Sequence, residues 1–232
     1  MKIDCIADLH GYEPNLPGGD LLILAGDYTA ANKMTQWGKF FQWLAKQPYD
    51  KKILIAGNHD GFFESGFPKS QKEADTLKEV QSFLEEQAEI EKPDFEYLCD
   101  SGTEYNGLKM WGTPWTPWFH GVNPHCKAFM DSERYLSERF NLIPADLDIL
   151  ITHGPMLHVL DSNYDGYACG SMALREAIDR AQPRFHIFGH IHEQGGKQLM
   201  YKHVGANTWC VNCSYVDENY KPVNSYIRIP SI

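Results

Sequence analysis

The sequence predicts an α/β fold in which two sheets stack against each other and helices cover the outside. Up to His192, short apolar runs alternate with amphipathic segments, which is the order of strands and helices in an α/β protein. After His192 the apolar segments are extended and consecutive, which adds neighbouring strands without intervening helices. No repeat, low-complexity tract or linker divides the 232 residues, so we expect a single domain over residues 1–232.

Five short apolar runs predict buried strands, because each is rich in β-branched or aliphatic residues and is bounded by glycine or polar residues. These runs occupy residues 3–7, 21–25, 52–56, 147–151 and 185–188. Three further extended segments occupy residues 198–204, 208–216 and 225–229. The two predicted sheets are therefore built from these runs and segments.

Amphipathic segments between the strands predict three helices. The first ends before Pro48, and its apolar stripe consists of Met34, Trp37, Phe40, Phe41 and Leu44. The second begins at Ser70 with the capping-box partner Glu73, and its apolar stripe consists of Leu77, Val80, Leu84 and Ala88. The third occupies residues 171–181, before the last of the five apolar runs. Each stripe is expected to pack on a sheet.

Each of the five runs stops at residues that can bind a metal ion. The residues that follow the runs are Asp8 and His10; Asp27; Asn58, His59 and Asp60; His153; and His190 and His192. In open α/β sheets, ligands bind at the carboxyl ends of the strands, so these side chains are expected to meet at one edge. Asp and Asn are also common turn residues, and one or two of these positions could serve only as turns. Together they offer more ligands than one ion takes, which predicts a site for two metal ions.

The spacing and the types of these residues fit metal binding. Asp8 and His10 are two residues apart, as are His190 and His192, and such pairs leave an extended segment on one face. Carboxylates are hard, anionic ligands that can bridge two cations, whereas imidazoles suit transition metals. We expect two divalent metal ions as cofactors, with manganese as the first candidate and iron, zinc or cobalt as alternatives.

Composition and charge argue against several classes of protein. The formal net charge of −10 disfavours stable binding of nucleic acid, which needs clustered Lys and Arg. The longest apolar runs are much shorter than the roughly 20 residues of a membrane-spanning helix, so no membrane attachment is expected. The first strand begins at Lys2 and leaves no room for a signal peptide, which predicts a cytoplasmic protein with reduced thiols. The sequence implies no particular oligomeric state.

Two other motifs have both a structural and a functional interpretation. Cys210 and Cys213 form a C-x-x-C motif, but they lie in a predicted strand without a second pair, so packing is favoured over redox or zinc chemistry. In the tryptophan-rich segment 111–120, Trp111 is expected to cover the core. The residues that remain candidates for contact with a substrate are Trp115 and Trp118, by stacking, and the loop histidines His120, His125 and His158. Each of these histidines is expected to be merely exposed.

The blocks that end the five runs read D-x-H, G-D, G-N-H-D, T-H-G-P and G-H-x-H, from Asp8 to His192. Their order resembles that of the calcineurin-like metallophosphoesterase family. Residues 55–59, 111–115, 188–193 and 220–224 are similar to the small, single-domain, MPPED-like branch of that family. The resemblance implies a four-layer α/β/β/α sandwich of two mixed sheets and the hydrolysis of phosphoesters at a binuclear metal centre.

The resemblance also implies a role for each residue of the blocks. The ligands of the first metal would be Asp8, His10 and His192, and those of the second would be Asn58, His153 and His190. Asp27 would bridge both ions. His59 would face the leaving group as a general acid instead of binding metal, and Asp60 would orient it.

These features together predict a hydrolase in which a metal-activated hydroxide attacks a small phosphoester. Protein phosphatases of the family continue the second block with an aspartate and an arginine, but Asp27 is followed by residues 28–32 without arginine. Diester monoanions need an extra cationic group less than monoester dianions do, so a phosphodiesterase for nucleotide-type diesters, cyclic ones included, is favoured. One alternative is a DNA nuclease of the same superfamily, which the acidic charge disfavours. The other is a non-catalytic binding scaffold, which the intact blocks disfavour.

Overall fold

Two sheets of five and six strands form the centre of the structure, a computed structural model that describes residues 1–64, 95–119 and 126–230. The strands in chain order are β1 (Ile3–Ile6), β2 (Gly19–Ala25), β3 (Tyr49–Ile55), β4 (Glu96–Tyr97), β5 (Ser101–Tyr105), β6 (Leu108–Thr113), β7 (Thr116–Pro117), β8 (Met130–Asp131), β9 (Ile149–Thr152), β10 (Phe185–Phe188), β11 (Gln198–Lys202), β12 (Asn207–Asn212) and β13 (Ile227–Ile229). The helices are α1 (Met34–Ala45), α2 (Gly61–Glu64), α3 (Glu133–Phe140) and α4 (Met172–Ala181), and a 3-10 turn covers His192–Gln194. The helix expected from Ser70 lies outside the described residues, as do His120 and His125.

The two large sheets are mixed and meet at one edge. The first has the strand order β13-β1-β2-β3-β4, in which β13 is antiparallel to its neighbour. The second has the order β11-β12-β10-β9-β6-β5, in which the edge strands β11 and β5 are antiparallel to theirs. A parallel bridge between Ala7 and Ser214 joins the sheets just after β1 and β12. The carboxyl ends of the parallel strands from both sheets therefore meet at this edge.

The layers are held together by three apolar clusters. Between the sheets, one cluster combines residues such as Ile23 and Ile55 of the first sheet with Ile151 and Ile187 of the second. The outer face of the first sheet packs on α1 through an aromatic cluster. The outer face of the second sheet packs on α3 and α4. The resulting order of layers is α/β/β/α, which confirms the predicted four-layer sandwich. In the described ranges, none of the helices has both the length and the apolar character needed to cross a membrane.

The structure adds elements that the pattern of apolar runs does not predict. The antiparallel pair β5 and β6 is joined at Asn106-Gly107, where φ is +50° and +79°. An Asn-Gly pair favours tight hairpins because both residues tolerate positive φ. The strand β5 reads Ser-Gly-Thr-Glu-Tyr and is only partly buried, so it carries no apolar run. Helix α3 is a further addition, and its apolar face consists of Leu136 and Phe140.

The C-x-x-C motif is a packing feature, as expected. Cys210 belongs to the cluster under α3 and α4, whereas Cys213 belongs to the cluster between the sheets. All six cysteines lie in the described part of the chain and are free thiols. The two cysteines of the motif therefore contribute to different layers of the core.

His186 is a buried histidine on β10 that should make the stability of the protein depend on pH. The hydroxyl hydrogen of Thr152 is donated to the Gly154 carbonyl, so Thr152 Oγ1 can only be an acceptor towards His186. His186 therefore donates its Nε2–H to Thr152 Oγ1, at 2.8 Å. Burial lowers the pKa of His186 to about 3, compared with 6.5 for an ordinary histidine. Between these values the unfolded chain binds a proton that the folded chain does not. The contribution of His186 to stability is therefore complete above pH 6.5 and is lost progressively as the pH falls towards 3.

The variant His186→Gln removes this titration and keeps an amide that can donate to Thr152 Oγ1. As the pH is lowered below 6.5, the free energy of unfolding of the unmodified protein should fall by about 1.4 kcal/mol per pH unit more than that of the variant. Urea denaturation of both metal-free proteins at several pH values between neutral and about 4 measures this difference. The other histidines titrate in both proteins, so their contributions cancel in the difference between the two. If the free energies of unfolding of both proteins changed equally with pH, His186 would not be buried as a neutral imidazole.

Candidate metal centre

The loops after β1, β2, β3, β9 and β10 bring the predicted ligand residues together where the two sheets meet. Three groups of side chains each have ligand atoms within 4.8 Å of one another: Asp8, His10 and His192; His10, Asp27 and His59; and Asp27, His153 and His190. Asn58 joins the third group, because its Oδ1 lies 3.0 Å from His153 Nε2. The groups overlap at His10 and Asp27, so they form one continuous centre.

The group formed by Asp8, His10 and His192 offers a carboxylate and two imidazoles. His192 Nε2 lies 3.3 Å from His10 Nε2 and 3.5 Å from Asp8 Oδ1. The other oxygen, Asp8 Oδ2, accepts hydrogen bonds from Ser214 Oγ at 2.6 Å and from the His190 N–H at 2.9 Å. Asp8 Oδ1 is buried and has no hydrogen-bond partner in the described structure. Since buried polar atoms are nearly always paired, this oxygen is suited to a cation.

Asp27 lies between the two outer groups of ligands. Its Oδ2 is 3.3 Å from His153 Nε2, 3.8 Å from His10 Nε2 and 4.0 Å from His59 Nε2. Its Oδ1 accepts the backbone N–H of His59 at 2.8 Å. One buried carboxylate therefore faces an imidazole from each group, which is the position that a bridging ligand requires.

The orientations of two histidines also fit metal binding. His153 donates its Nδ1–H to the Ala25 carbonyl at 2.8 Å, and His192 donates its Nδ1–H to the Asp217 carbonyl at 3.1 Å. Each Nε2 is therefore directed into the centre, where it faces carboxylate or amide oxygens. Burial opposes the charged forms, but Asp27 raises the pKa of His153 to about 9 and Asp8 raises that of His192, so a bound cation would take the place of a proton at these nitrogens. A set of imidazole nitrogens with carboxylate and amide oxygens suits divalent transition metals, so the residues fit the implied ions.

The electrostatics of the centre keep the carboxylates of Asp8 and Asp27 ionised. Burial opposes ionisation of Asp8, but the neighbouring imidazole of His192 outweighs this effect and lowers the pKa of Asp8 to about 2. The pKa of Asp27 is likewise far below its usual value, because neighbouring histidines outweigh burial. Burial lowers the pKa of His10 to about 4 and that of His190 to about 3. Ionised carboxylates and neutral imidazoles are the forms that bind metal.

The backbone of the centre is held in conformations that non-glycine residues rarely adopt. The residues concerned, with their φ angles, are Asp8 (+53°), His10 (+42°), Asp27 (+58°) and His190 (+69°). Gly57 and Gly189 pack directly against carboxylates, and a Cβ atom at either position would overlap an oxygen of Asp27 or Asp8. Such backbone strain is typical of functional sites, where the surrounding structure holds the strained residues in place and so fixes the positions of their side chains.

Asp60 connects two loops of the centre, and its expected role in orienting His59 stays a prediction. Its carboxylate is fully buried and accepts the backbone N–H groups of Asp27 at 2.7 Å, Gly57 at 2.9 Å and Tyr28 at 3.1 Å. Three backbone donors thus engage this carboxylate. Asp60 therefore fixes the loop after β2 to the loop after β3, and with it the position of Asp27.

His59 lies at the margin of the centre. Its Nδ1–H donates to the Ala30 carbonyl at 3.2 Å, so its Nε2 is directed towards Asp27. Burial opposes the charged form, but the Asp27 carboxylate and hydrogen bonds, including one to Cys126, raise the pKa of His59 to about 10. In the metal-free protein this imidazole is therefore protonated at neutral pH, the state that a general acid requires.

The tryptophans and the loop histidine of the predicted substrate region have different environments. Trp111 packs against the cluster under α3 and α4, as expected. Trp115 donates its Nε1–H to Asp100 at 2.9 Å and packs with the core, so it has a structural role. Trp118 is 47% exposed and lines the cavity above the centre. His158 is exposed, as expected.

A cavity of about 550 Å³ opens above the ligands. Its floor includes Asp27, Asn58, His59, His190 and His192, and its walls include Trp118, Phe119, Tyr220, Glu193 and Glu218. Among the described residues that line it there is no Lys or Arg. The cavity is large enough for a small organic ligand, and its walls are aromatic and acidic.

Several residues beyond the last ligand block support the centre, and no pattern in the sequence pointed to them. Ser214 donates to Asp8, the Asp217 carbonyl accepts from His192, and Tyr220 lies against the imidazoles. Asn212 donates to the Ile191 carbonyl at 2.9 Å and so fixes the loop between the last two histidines. Ser214 lies just after the observed strand β12, but the predicted extended segment 208–216 runs past it, so the sequence did not mark it as the end of a strand.

Comparisons with known proteins find relatives by sequence and by fold. The model of the calcineurin-like phosphoesterase family matches residues 1–194. The chain is 36% identical to human metallophosphoesterase domain-containing protein 1 over 240 aligned residues. The alignment covers 97% of this chain and 69% of that protein. It is 34% identical to a UPF0046 protein of Caenorhabditis elegans, over 99% of this chain and 82% of that protein. The crystal structure of TT1561 of Thermus thermophilus has the same fold, with a TM-score of 0.58 over 98% of this chain and 97% of that chain at 14% identity.

Proposed function

This chain belongs to the calcineurin-like phosphoesterase family, and we propose that it hydrolyses small phosphodiesters with two divalent metal ions, manganese being the first candidate. Family membership makes it a metal-dependent phosphoester hydrolase, so the proposal concerns the number of ions, the substrate and the role of each residue. The observation that carries it is the position of Asp27, whose Oδ2 faces His153 at 3.3 Å and His10 at 3.8 Å.

The proposed ligands divide along the groups described above. The first ion would be held by Asp8, His10 and His192, and the second by Asn58, His153 and His190, with Asp27 shared between them. Divalent ions in such a centre supply Lewis-acid catalysis, because they polarise the phosphoryl oxygens and lower the pKa of water. The Asp60 carboxylate and the Ala25 and Asp217 carbonyls maintain the orientation of the ligands.

His59 is the proposed general acid. The oxygen of a water molecule forms the new P–O bond and releases one proton to the solvent, while the bond to the leaving oxygen breaks and His59 Nε2 gives its proton to that oxygen. The hydrogen bond from Nδ1–H to the Ala30 carbonyl fixes the ring so that Nε2 faces the cavity. Positioned proton donors typically accelerate a reaction by about 10²–10⁴-fold.

A diester monoanion suits the cavity better than a monoester dianion. Among the described lining residues there is no Lys or Arg to bind the extra charge of a monoester, whereas Glu193 and Glu218 add negative potential. The exposed Trp118 and the neighbouring Phe119 can stack on a planar group, so nucleotide-type diesters, cyclic ones included, are the proposed substrates.

The manganese-loaded protein should hydrolyse bis-p-nitrophenyl phosphate with a kcat/KM at least about tenfold higher than that for p-nitrophenyl phosphate. The monoester dianion would lack the charge-assisted hydrogen bond that a Lys or Arg in the cavity would donate. Such a bond is worth roughly 1.5 kcal/mol or more, which corresponds to about tenfold in rate. Initial rates of p-nitrophenol release with both esters, measured with each candidate metal, test this expectation. A preference for the monoester would refute the diester assignment, while leaving the phosphoesterase family unaffected.

The rival functions are less well supported. The net charge of −10 and the lack of cationic side chains among the described cavity residues disfavour a DNA nuclease. The complete set of ligand residues disfavours a non-catalytic scaffold. A cytoplasmic location, which would keep the cysteines reduced, is part of the proposal.

A further inference from the structure

Tyr220 forms an aromatic wall beside the first group of ligands. Its ring lies edge-on to His10, with centroids 4.8 Å apart, and to His192, with centroids 5.2 Å apart. The third neighbouring imidazole is His59, at 6.3 Å. Tyr220 adopts φ of +58°, and its carbonyl accepts a hydrogen bond from Tyr12 Oη at 3.2 Å. A strained backbone and a long-range hydrogen bond thus hold this ring against the centre.

The turn that carries Tyr220 is itself fixed to the centre. Asp217 Oδ1 accepts the backbone N–H groups of Asn219 and Lys221 at 2.9 and 2.8 Å, and the Tyr220 N–H donates to the Asp217 carbonyl. The same carbonyl accepts the Nδ1–H of His192. The ring and the metal ligand are therefore positioned by one turn.

Phe119 and Trp118 form a second aromatic wall beside the other group of ligands. The Phe119 ring lies 5.8 Å from that of His190. Lys127 Nζ lies 3.6 Å from the centroid of Phe119 and donates to its carbonyl at 2.8 Å, and the Trp118 N–H donates to the Asp131 carbonyl at 2.9 Å. This wall is thus anchored independently of Tyr220.

We infer that the two walls sort the two ester groups of a phosphodiester, with Tyr220 against the leaving group and Trp118 against the group that stays on phosphorus. This inference rests on the proposed function. The direction follows from His59, the proposed acid, whose ring neighbours His10 at 4.6 Å and Tyr220 at 6.3 Å. The leaving oxygen must lie beside the acid, so its substituent lies beside Tyr220. The retained substituent points to the remaining part of the cavity, where Trp118 and Phe119 are.

Two substrates with the same leaving group distinguish the roles of the two aromatic walls. Bis-p-nitrophenyl phosphate and methyl p-nitrophenyl phosphate both release p-nitrophenol but retain an aryl and a methyl group, respectively. For Trp118→Ala, the ratio of kcat/KM for the aryl diester to that for the methyl diester should fall about tenfold, within the range known for lost aromatic stacking. Tyr164→Ala is the matched control, because this aromatic side chain is 84% exposed and is not among the residues lining the cavity. An unchanged ratio in Trp118→Ala would overturn the inference.

Tyr220→Leu should lower kcat/KM for both diesters by the same factor, about tenfold, since both share the leaving group. Its manganese content should equal that of the unmodified protein, and Tyr220→Phe should restore most of the rate because it keeps the ring. Loss of manganese would show a structural role, and a changed ratio between the diesters would place Tyr220 against the retained group; either result would overturn the assignment of Tyr220. If the unmodified protein hydrolyses neither diester, the proposed function fails as well. If it hydrolyses both, an unchanged ratio in Trp118→Ala or an unchanged rate in Tyr220→Leu defeats the sorting alone.

Discussion

Asp27→Asn should abolish the binuclear centre and lower kcat/KM for bis-p-nitrophenyl phosphate by at least about 10³-fold, since metal ions contribute several kcal/mol of charge stabilisation. The change keeps the size of the side chain but removes its negative charge. Only one atom of the amide can bind a cation, whereas Asp27 faces imidazoles of both groups through its carboxylate. We expect the purified variant to contain at most one manganese ion per chain.

Metal analysis and activity together test this result. Asp146→Asn is the matched control, because it makes the same chemical change at a carboxylate that pairs with Lys109 on the surface. The variant Asp27→Asn should remain folded by circular dichroism, because the loops around it are still fixed by Asp60. Two bound manganese ions in Asp27→Asn, or a crystal structure with manganese in which Asp27 contacts fewer than two ions, would refute the bridging role.

The ligands could be predicted from the sequence because strand ends and sheet topology determine where they lie. Each apolar run is short and buried, and parallel strands place their carboxyl ends at one edge, so Asp27 and His153 meet although 126 positions separate them in the chain. Helices α1 and α4 were predictable for a similar reason, since their apolar stripes have helical spacing. Local sequence patterns are enough to place a residue wherever the fold class itself determines which strands or helices lie next to it.

The supporting residues could not be predicted, because their partners are set by tertiary contacts of loops. Asp60 belongs to a ligand block, yet its carboxylate is engaged by backbone N–H groups of Asp27 and Gly57. Tyr220 lies in a polar turn without any periodic pattern, and its ring contacts histidines that precede it by 28 to 210 positions. The hairpin at Asn106-Gly107 was not predicted for a different reason. Its turn residues are a strong local signal, but its edge strand β5 is polar and carries no apolar run.

His59→Ala should retain both metal ions but lose rate, and the loss should depend on the leaving group. His59 Nε2 lies 4.0 Å from Asp27 Oδ2, farther than His153 at 3.3 Å and His10 at 3.8 Å, so it is the least suited of the three to share an ion with Asp27. Without a proton donor, kcat/KM for methyl phenyl phosphate should fall by about 10²–10⁴-fold. The loss should be much smaller for methyl p-nitrophenyl phosphate, because p-nitrophenolate leaves readily without a proton.

The two esters have the same retained methyl group and differ only in the nitro group of the leaving phenol, so the ratio of their kcat/KM values reports on proton donation. His158→Ala serves as the control, since this histidine is an exposed loop residue outside the centre. Because His59 also lies within ligand distance of His10 and Asp27, the metal content of the variant decides between two roles. Full metal content with a rate loss confined to the poorer leaving group identifies a general acid. Loss of an ion with equal losses on both esters would make His59 a ligand, and the proton would then have to come from another group in the cavity.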